Sequence, residues 1–499
     1  KTSVQADLAA LGIRDFGRLH SRPAGPEIPA HMELFFNGKV MTLARYPNPD
    51  DPDFKDGWAT ISGVGKFDAR DDGHGTHFGM LEDGFCYEGD RPRRWKSFEN
   101  IWVHGYWMYD WANSYEEIDS IDTTARLIKT KPPYGRYGYR IGERFYFLNV
   151  LEELDAAGEY YIDSARGMLY FYPPEDLDGS EALVSILEEP LVALQDTSYV
   201  HLLGVTLECC RSSLVTMAGG RGNLVAGCTL RYAGGYGVIV QGGQENGVQS
   251  CDLTELGEGG ILLEGGDRKT LEPCGHFSRN NHIWRFAHWS RCYRPGVELR
   301  GVGMHIDHNH IHDAPHAGIL YWGNEFTLEY CDLHDVCLET GDAGAIYSGR
   351  DFTTRGNIIR YNYLHDLQGV GEWGCMGMYF DDLLSGQTFY GNILRNCHRA
   401  VYVPGGREIV LENNIFIDCT PAVEVMAHGL MPDEIWHNMV NVMMKQRLED
   451  MNYHQPPYSE RYPELLELDA IYERGEGVPP KVFIRRNICL GTWMLVHRY

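Results

Sequence analysis

The sequence predicts an all-β protein, built mainly as a right-handed parallel β-helix of the pectate-lyase-like solenoid type, with a β-rich domain ahead of it. Three observations predict it. Short segments of one design recur between residues 199 and 490, as in 318–323, 344–349 and 377–382; each opens on a small residue and carries apolar residues two apart. Residues two apart on a strand share a face, so each segment reads as a strand with one face in the core. A second short segment follows each first one, with Asn or Cys at one place: Cys228, Cys251, Asn281, Asn309, Cys331, Asn362, Asn392, Asn414, Asn438 and Asn487, with Gly204 there in the first repeat. Most steps between these residues are 22 to 31 residues, with one longer step near the end, which is a solenoid period. Stacked asparagines bond amide to amide up such a coil, and cysteine fills the same slot as a small apolar residue. A β-sandwich with many glycine turns is the alternative, but it would not repeat the same residue types at the same offsets.

Two domains are expected, 1–180 and 181–499. In the first, Met32–Leu43 reads as strand, Asn37-Gly38 turn and strand. Glu159–Asp163 and Gly167–Tyr172 make a second hairpin. Trp95, Trp102, Tyr106, Trp107, Tyr109 and Trp111 form an aromatic group, read as the core of a small β domain rather than a sugar-stacking surface. This domain is expected to contact and cap the first coils, because an open first coil is an aggregation edge. The solenoid is expected to begin near Leu191, with 200–207 its first clear strand and 482–488 its last. Polar insertions interrupt it at 267–276, 286–295, 367–376 and, rich in proline, 445–480. Loops of that size leave a solenoid at its turns and build a binding face.

Composition narrows the function. The 499 residues carry a formal charge of −26, which argues against a nucleic-acid partner and disfavours a polyanionic substrate. No apolar run is long enough to span a membrane. Lys1 is not a methionine, so the expectation is a mature or trimmed form whose targeting segment is not visible. The 13 cysteines include no CxxC pair and no zinc spacing. Cys228, Cys251 and Cys331 are read as free buried thiols. No cofactor is expected, with a structural calcium ion left open; oligomeric state is not legible.

Aligned periods make columns. Val238, Ile261, Val297, Ile319, Ala345, Met378 and Val401 are read as inward, as are Val240, Leu263, Leu299, Tyr321, Tyr347, Phe380 and Val403. The alternate file, Gln241, Glu264, Arg300, Trp322, Ser348, Asp381 and Pro404, is read as outward and suits a saccharide groove. The next column is Gly242, Gly265, Gly301, Gly323, Gly349 and Gly405, interrupted by Asp382 alone, which points to a functional acid. A further column reads Glu258, Arg294, His316, Asp342, Cys375 and His398, which would stack Asp342 beside His316. Asp342 with Asp381 or Asp382 supplies two carboxylates able to hydrolyse a glycosidic bond, one protonating the leaving oxygen and the other attacking or activating water. That pairing requires a bend near Gly341 or Gly344. His316, Arg300, Trp322, Arg350 and Tyr379 are candidate substrate contacts. Glu325, Glu339 and Glu372 are reserve carboxylates, each otherwise a solvated turn residue. His312, His334 and His365 form a file beside Asp313, Asp335 and Asp366; turn capping is the reading taken, and no metal site is assigned.

The segments 340–347, 378–382 with Ser385-Gly386, and 411–416 resemble glycoside hydrolase family 141, as do 33–39, 42–48 and 158–163 in the first domain. The resemblance implies a β-helix with a β-rich accessory domain and a catalytic aspartate pair, carried by motif to Asp342 and to Asp382 within the Asp381-Asp382 pair. It implies a carbohydrate substrate, with α-L-fucosidase and xylanase among the activities of the family, and an extracellular or periplasmic location. A polysaccharide lyase is a second reading, disfavoured because Lys269 is the only lysine between 199 and 440. A non-catalytic carbohydrate-binding solenoid is a third.

Overall fold

The computed structural model describes residues 3–21, 28–72 and 75–497. The chain divides into two compact units: Lys1–Glu189 with Cys209–Ser212 and Tyr232–Gly235, and the remainder of the chain.

The first unit is built of mainly antiparallel sheets, with one parallel pairing, of Glu159–Asp163 with Thr42–Leu43. Leu34–Phe36 and Lys39–Val40 pair through a turn in which Asn37 and Gly38 both have positive φ, 46° and 76°. A two-residue turn of that kind matches the twist of its strands, and Asn-Gly supplies it at low cost. Glu159–Asp163 and Met168–Phe171 form the second hairpin. Ile61, Phe85, Trp95, Val103, Trp107, Tyr139, Phe145 and Phe147 pack into one core. Of the aromatic group, Trp95, Trp102, Tyr106 and Trp107 are buried. Tyr109 and Trp111 are half-buried and stack on each other at 4.8 Å and 8°.

The second unit is a right-handed parallel β-helix. Each coil gives one strand to each of three parallel sheets. A long sheet of 11 strands runs from Val192–Gln195 to Met494–Val496. A middle sheet of 10 runs from His201–Leu203 to Lys481–Arg485, and a third sheet of 10 from Thr206–Cys210 to Ile488–Leu490. The corner between the middle and third sheets is a single left-handed residue, repeated in ten coils. It is Gly204, Gly227, Ser250, Asn280, His308, Tyr330, Tyr361, Gly391, Asn413 and Arg486, with φ between 52° and 67°. The continuous stretches read from sequence at 200–207 and 482–488 are therefore each two strands meeting at this corner.

The buried ladder follows directly after the corner. The Nδ2 of Asn281 donates to Asn309 Oδ1 at 3.0 Å, Asn362 to Asn392 at 3.0 Å, Asn392 to Asn414 at 3.1 Å and Asn414 to Asn487 at 3.0 Å. The same oxygens accept main-chain N–H groups, as from Asn362 N to Asn392 Oδ1 at 3.0 Å. Cys228, Cys251 and Cys331 sit in the ladder as buried free thiols, and burial pushes the Cys331 thiol up to about 12. Two expected members do not belong. Gly204 is the corner residue, and Val205 holds the ladder position, accepting the N–H of Thr229 at 3.0 Å. Asn438 ends the helix Glu434–Asn438, so the ladder passes from Asn414 straight to Asn487. A second asparagine step lies at another corner, where Asn223 donates to Asn246 at 3.0 Å.

The stretch read as a proline-rich loop at 445–480 is a helical insertion that begins earlier, at His428. It contains Glu434–Asn438, Met439–Met444, Lys445–Asp450, Tyr458–Arg461 and Glu467–Arg474. Leu465, Leu468, Ile471 and Tyr472 fall at helical spacing, the apolar stripe that proline-rich composition concealed. With Met439, Met444, Leu448 and Tyr458 they build a small core against Phe352 and Leu383 of the coils.

Replacing Asn392 by Ala strands the Ile359 carbonyl and the Asn362 N–H, both now bonded to its amide. At roughly 1–3 kcal/mol for each buried orphan, the expected loss is about 2 to 6 kcal/mol, read as a lower denaturation midpoint in urea. An unchanged midpoint would show that the ladder does not hold the coils together.

Candidate active site

The site is built on the long sheet where three consecutive coils present Ala343–Gly349, Cys375–Asp381 and Arg399–Pro404. Ile319 pairs with Ile346, Ile346 with Met378 and Met378 with Val401. The coil at 343–349 is therefore displaced by one residue from the alignment read in sequence, where Ala345 held the place of Ile346. The cause is Ala343-Gly344-Ala345, three small residues in a row, where the sequence offers Gly344 as the opening residue and the structure uses Ala345. One residue reverses every side chain on a strand. Ser348 is thus inward and fully buried, and Tyr347 is outward.

That correction assembles a file of tyrosines. Tyr347 pairs with Tyr379 and Tyr379 with Tyr402, with ring centroids 5.3 and 5.2 Å apart. The hydroxyls of the first two are aimed at acids. Tyr347 donates to Asp381 Oδ2 at 2.8 Å, and Tyr379 donates to Asp342 Oδ1 at 3.0 Å. Gly349 pairs with Asp381, so the following residues, Arg350 and Asp382, stand side by side at the end of the sheet. Both have left-handed backbones, φ 63° and 30°. Arg350 Nε lies 2.8 Å from Asp382 Oδ2 and 3.7 Å from Asp381 Oδ2. The other oxygen of Asp382 faces His428 Nδ1 at 3.1 Å. His428 is held by the Trp436 ring at 3.9 Å, and Arg447 donates to the Arg350 carbonyl at 2.6 Å, so the helical insertion walls this end.

Asp342 joins the cluster from the other end of the same strand. The bend anticipated at Gly341 or Gly344 is made by Asp342 itself, whose φ is 50°. Its charge is felt by Asp381, and that of Asp382 by Asp342. Burial is the largest effect on Asp381, with repulsion from Asp382 next; together they push its carboxyl up to about 8 despite Arg350. Burial likewise raises Asp342, opposed by the Tyr379 hydrogen bond and reinforced by Asp382. Asp342 remains partly exposed while Asp381 and Asp382 are buried. The arrangement offers a reachable carboxyl inclined to hold its proton beside a carboxylate fixed by a guanidinium.

The remaining candidates are placed elsewhere. His316, expected to stack beside Asp342, precedes the strand that opens at Ile319, and its carbonyl accepts the Cys337 N–H at 2.9 Å. It lies buried with Nδ1 3.1 Å from Thr340 Oγ1, and burial pulls its pKa down to about 3. Arg300 and Trp322 are register partners and line a cleft of about 570 Å³ with Glu264, Arg268 and glycines. This cleft lies two coils from Asp381, roughly 10 Å along the same outward file. Glu325 accepts from Arg461 at 2.7 Å and Tyr462 at 3.2 Å, away from the acids. Glu339 accepts from Arg291 at 2.5 Å. Glu372 is an exposed loop residue. Sequence reading missed Tyr347, Tyr402 and His428: the first two need the correct offset of one coil, and the third comes from the insertion.

The model of the right-handed β-helix region matches residues 295–441. Among solved structures, one described as a glycoside hydrolase is similar over 79 % of this chain and 79 % of its own, at 16 % identity and a TM-score of 0.57. The catalytic domain of a GH87 α-1,3-glucanase in complex with nigerose is matched over 81 % of this chain and 88 % of its own, at 9 % identity and a TM-score of 0.26. No curated protein matches the chain. The first likeness is one of fold alone, and the family match agrees with the right-handed parallel β-helix of the structure.

Proposed function

We propose that the protein is a glycoside hydrolase, and that Asp342 and Asp382 are its acid and its nucleophile or base. The observation that carries this reading is the pair of unlike environments on one face. Asp342 is held toward its neutral form by burial, whereas Asp382 is bonded to Arg350 and faces His428. Two carboxyls in such unlike surroundings suit the separate tasks of protonating a leaving oxygen and attacking the sugar. Asp381, which receives the Tyr347 hydroxyl, keeps a proton and a hydrogen bond next to the nucleophile. Arg300 and Trp322 supply a stacking and hydrogen-bonding subsite along the same face. The resemblance of 340–347 and 378–382 to family 141 supports α-L-fucosidase-like or xylanase-like action on a polysaccharide outside the cytoplasm, with residues 1–180 as an accessory domain.

A panel of nitrophenyl glycosides and plant or algal polysaccharides tests the reading. Asp342→Asn and Asp382→Asn should each lower kcat by about 10² to 10⁴-fold while circular dichroism shows the chain still folded. Near wild-type turnover in Asp382→Asn would transfer the role to Asp381, and binding with no hydrolysis across the panel would leave a carbohydrate-binding solenoid.

The raised carboxyls also predict a pH dependence. The folded state keeps the Asp381 proton between about 3.8, where the free carboxyl titrates, and about 8. More protons are then bound folded than unfolded, so stability falls as pH rises through this window. Asp381→Asn should remove much of that fall, seen as a thermal midpoint that changes less between pH 4 and pH 8 than in the wild type. An identical slope in both would show that Asp381 is ionised in the fold.

A further inference from the structure

A second cluster lies on the outer face of the third sheet, away from the strands that carry the acids. His282 pairs in register with His310, and in the neighbouring column Trp284 pairs with His312. Across the two columns, His282 Nε2 faces His312 Nε2 at 2.8 Å, and one coil further on His310 Nε2 faces His334 Nε2 at 2.9 Å. The ligand nitrogens of His282, His310 and His312 all lie within 4.8 Å of one another. The rings are within reach of solvent, the side chains of His282, His312 and His334 being 38 %, 15 % and 20 % exposed.

Each inner ring is fixed from behind. His312 Nδ1 is 3.0 Å from Asp313 Oδ2, and His334 Nδ1 is 2.8 Å from Asp335 Oδ2. An ionised carboxylate only accepts, so Nδ1 carries the hydrogen and Nε2 presents its lone pair to the facing histidine. That nitrogen meets its partner either through a proton or through a cation. A carboxylate behind the distal nitrogen is the arrangement that orients an imidazole ligand and raises its basicity. Asp313 and Asp335 take φ of 53° and 47°, so the same left-handed residue recurs behind successive rings.

We infer that His282, His310 and His312 form a binding site for a borderline divalent transition metal such as Zn²⁺, with Asp313 positioning His312. Three imidazoles with one coordination position left over suit Zn²⁺, Ni²⁺ or Cu²⁺ rather than Ca²⁺ or Mg²⁺, which take oxygen ligands. Zinc–nitrogen bonds of about 2.0 to 2.1 Å in a tetrahedron set the nitrogens roughly 3.4 Å apart. The 2.8 Å contact therefore has to open by about half an ångström, a small rotation for partly exposed rings. The site is independent of the glycosidase reading.

Titration of the chelator-treated full chain with Zn²⁺ in a calorimeter should show one ion per chain at micromolar affinity or tighter. His310→Gln and His312→Gln should each weaken binding at least tenfold, and Asp313→Asn should weaken it about tenfold through the orientation of His312. His454→Gln, at an exposed histidine bonded to Asp469 in the helical insertion, should bind as the wild type does. Crystals of the wild type soaked in Zn²⁺ should give an anomalous peak among the three imidazoles, a result that does not depend on any variant folding. No heat of binding, affinity equal in all variants, or a peak elsewhere would overturn the assignment.

Discussion

The structure depends on one constraint, that each coil lie in register on the one before it. Main-chain hydrogen bonds between parallel strands tolerate many registers along their length. The buried asparagines do not, since Asn392 must receive the N–H of Asn362 while giving its own amide hydrogens to Ile359 and Asn414. A slip of one coil against the next would leave these groups unpaired away from water. The left-handed corner residue just ahead of the ladder keeps the turn the same length in coil after coil. Extra residues can then enter only at the other corners, where the loop 368–374 and the insertion from His428 leave the stack.

Register is also what makes the acidic cluster. Asp342 and Asp382 are forty residues apart in the chain, yet adjacent coils bring their surroundings onto one face. Alternation along the strands then divides the labour. Ile346, Ser348, Met378 and Phe380 fill the interior, while Tyr347 and Tyr379 carry hydroxyls outward to Asp381 and Asp342. Arg350 answers the charge of the Asp381–Asp382 pair, which otherwise could not be buried. Left-handed backbone at Asp342, Arg350 and Asp382 is the local strain that buys this convergence.

The periodic part of the molecule was legible because it is repeated. A ladder residue of Asn or Cys is visible nine times over, and the Asn37-Gly38 turn has a single short-range explanation. The errors fall where repetition stops. In the coil 343–349, three consecutive small residues leave no mark of which one is equivalent to Gly318, and only the burial of Ile346 and Ser348 decides it. Asn438 matched the ladder by type and approximate spacing, but it sits in a helix that the prolines of the insertion made hard to see. His428 could not be placed beside Asp382 from sequence, because that contact is made by a segment whose path was unknown.

The position of the insertion in the chain gives the pocket a history. The three aspartates and Arg350 are all present by residue 382, in coils that stack on those already made. His428 and Arg447 arrive later, and the small core that steadies them closes only when Val478 has emerged. At ribosomal speeds of about 5 to 20 residues per second, these 96 positions represent roughly 5 to 20 seconds of synthesis. A nascent chain therefore carries crowded acids without their far wall during that interval, and a truncated product ending before His428 would own the coils but not a finished pocket.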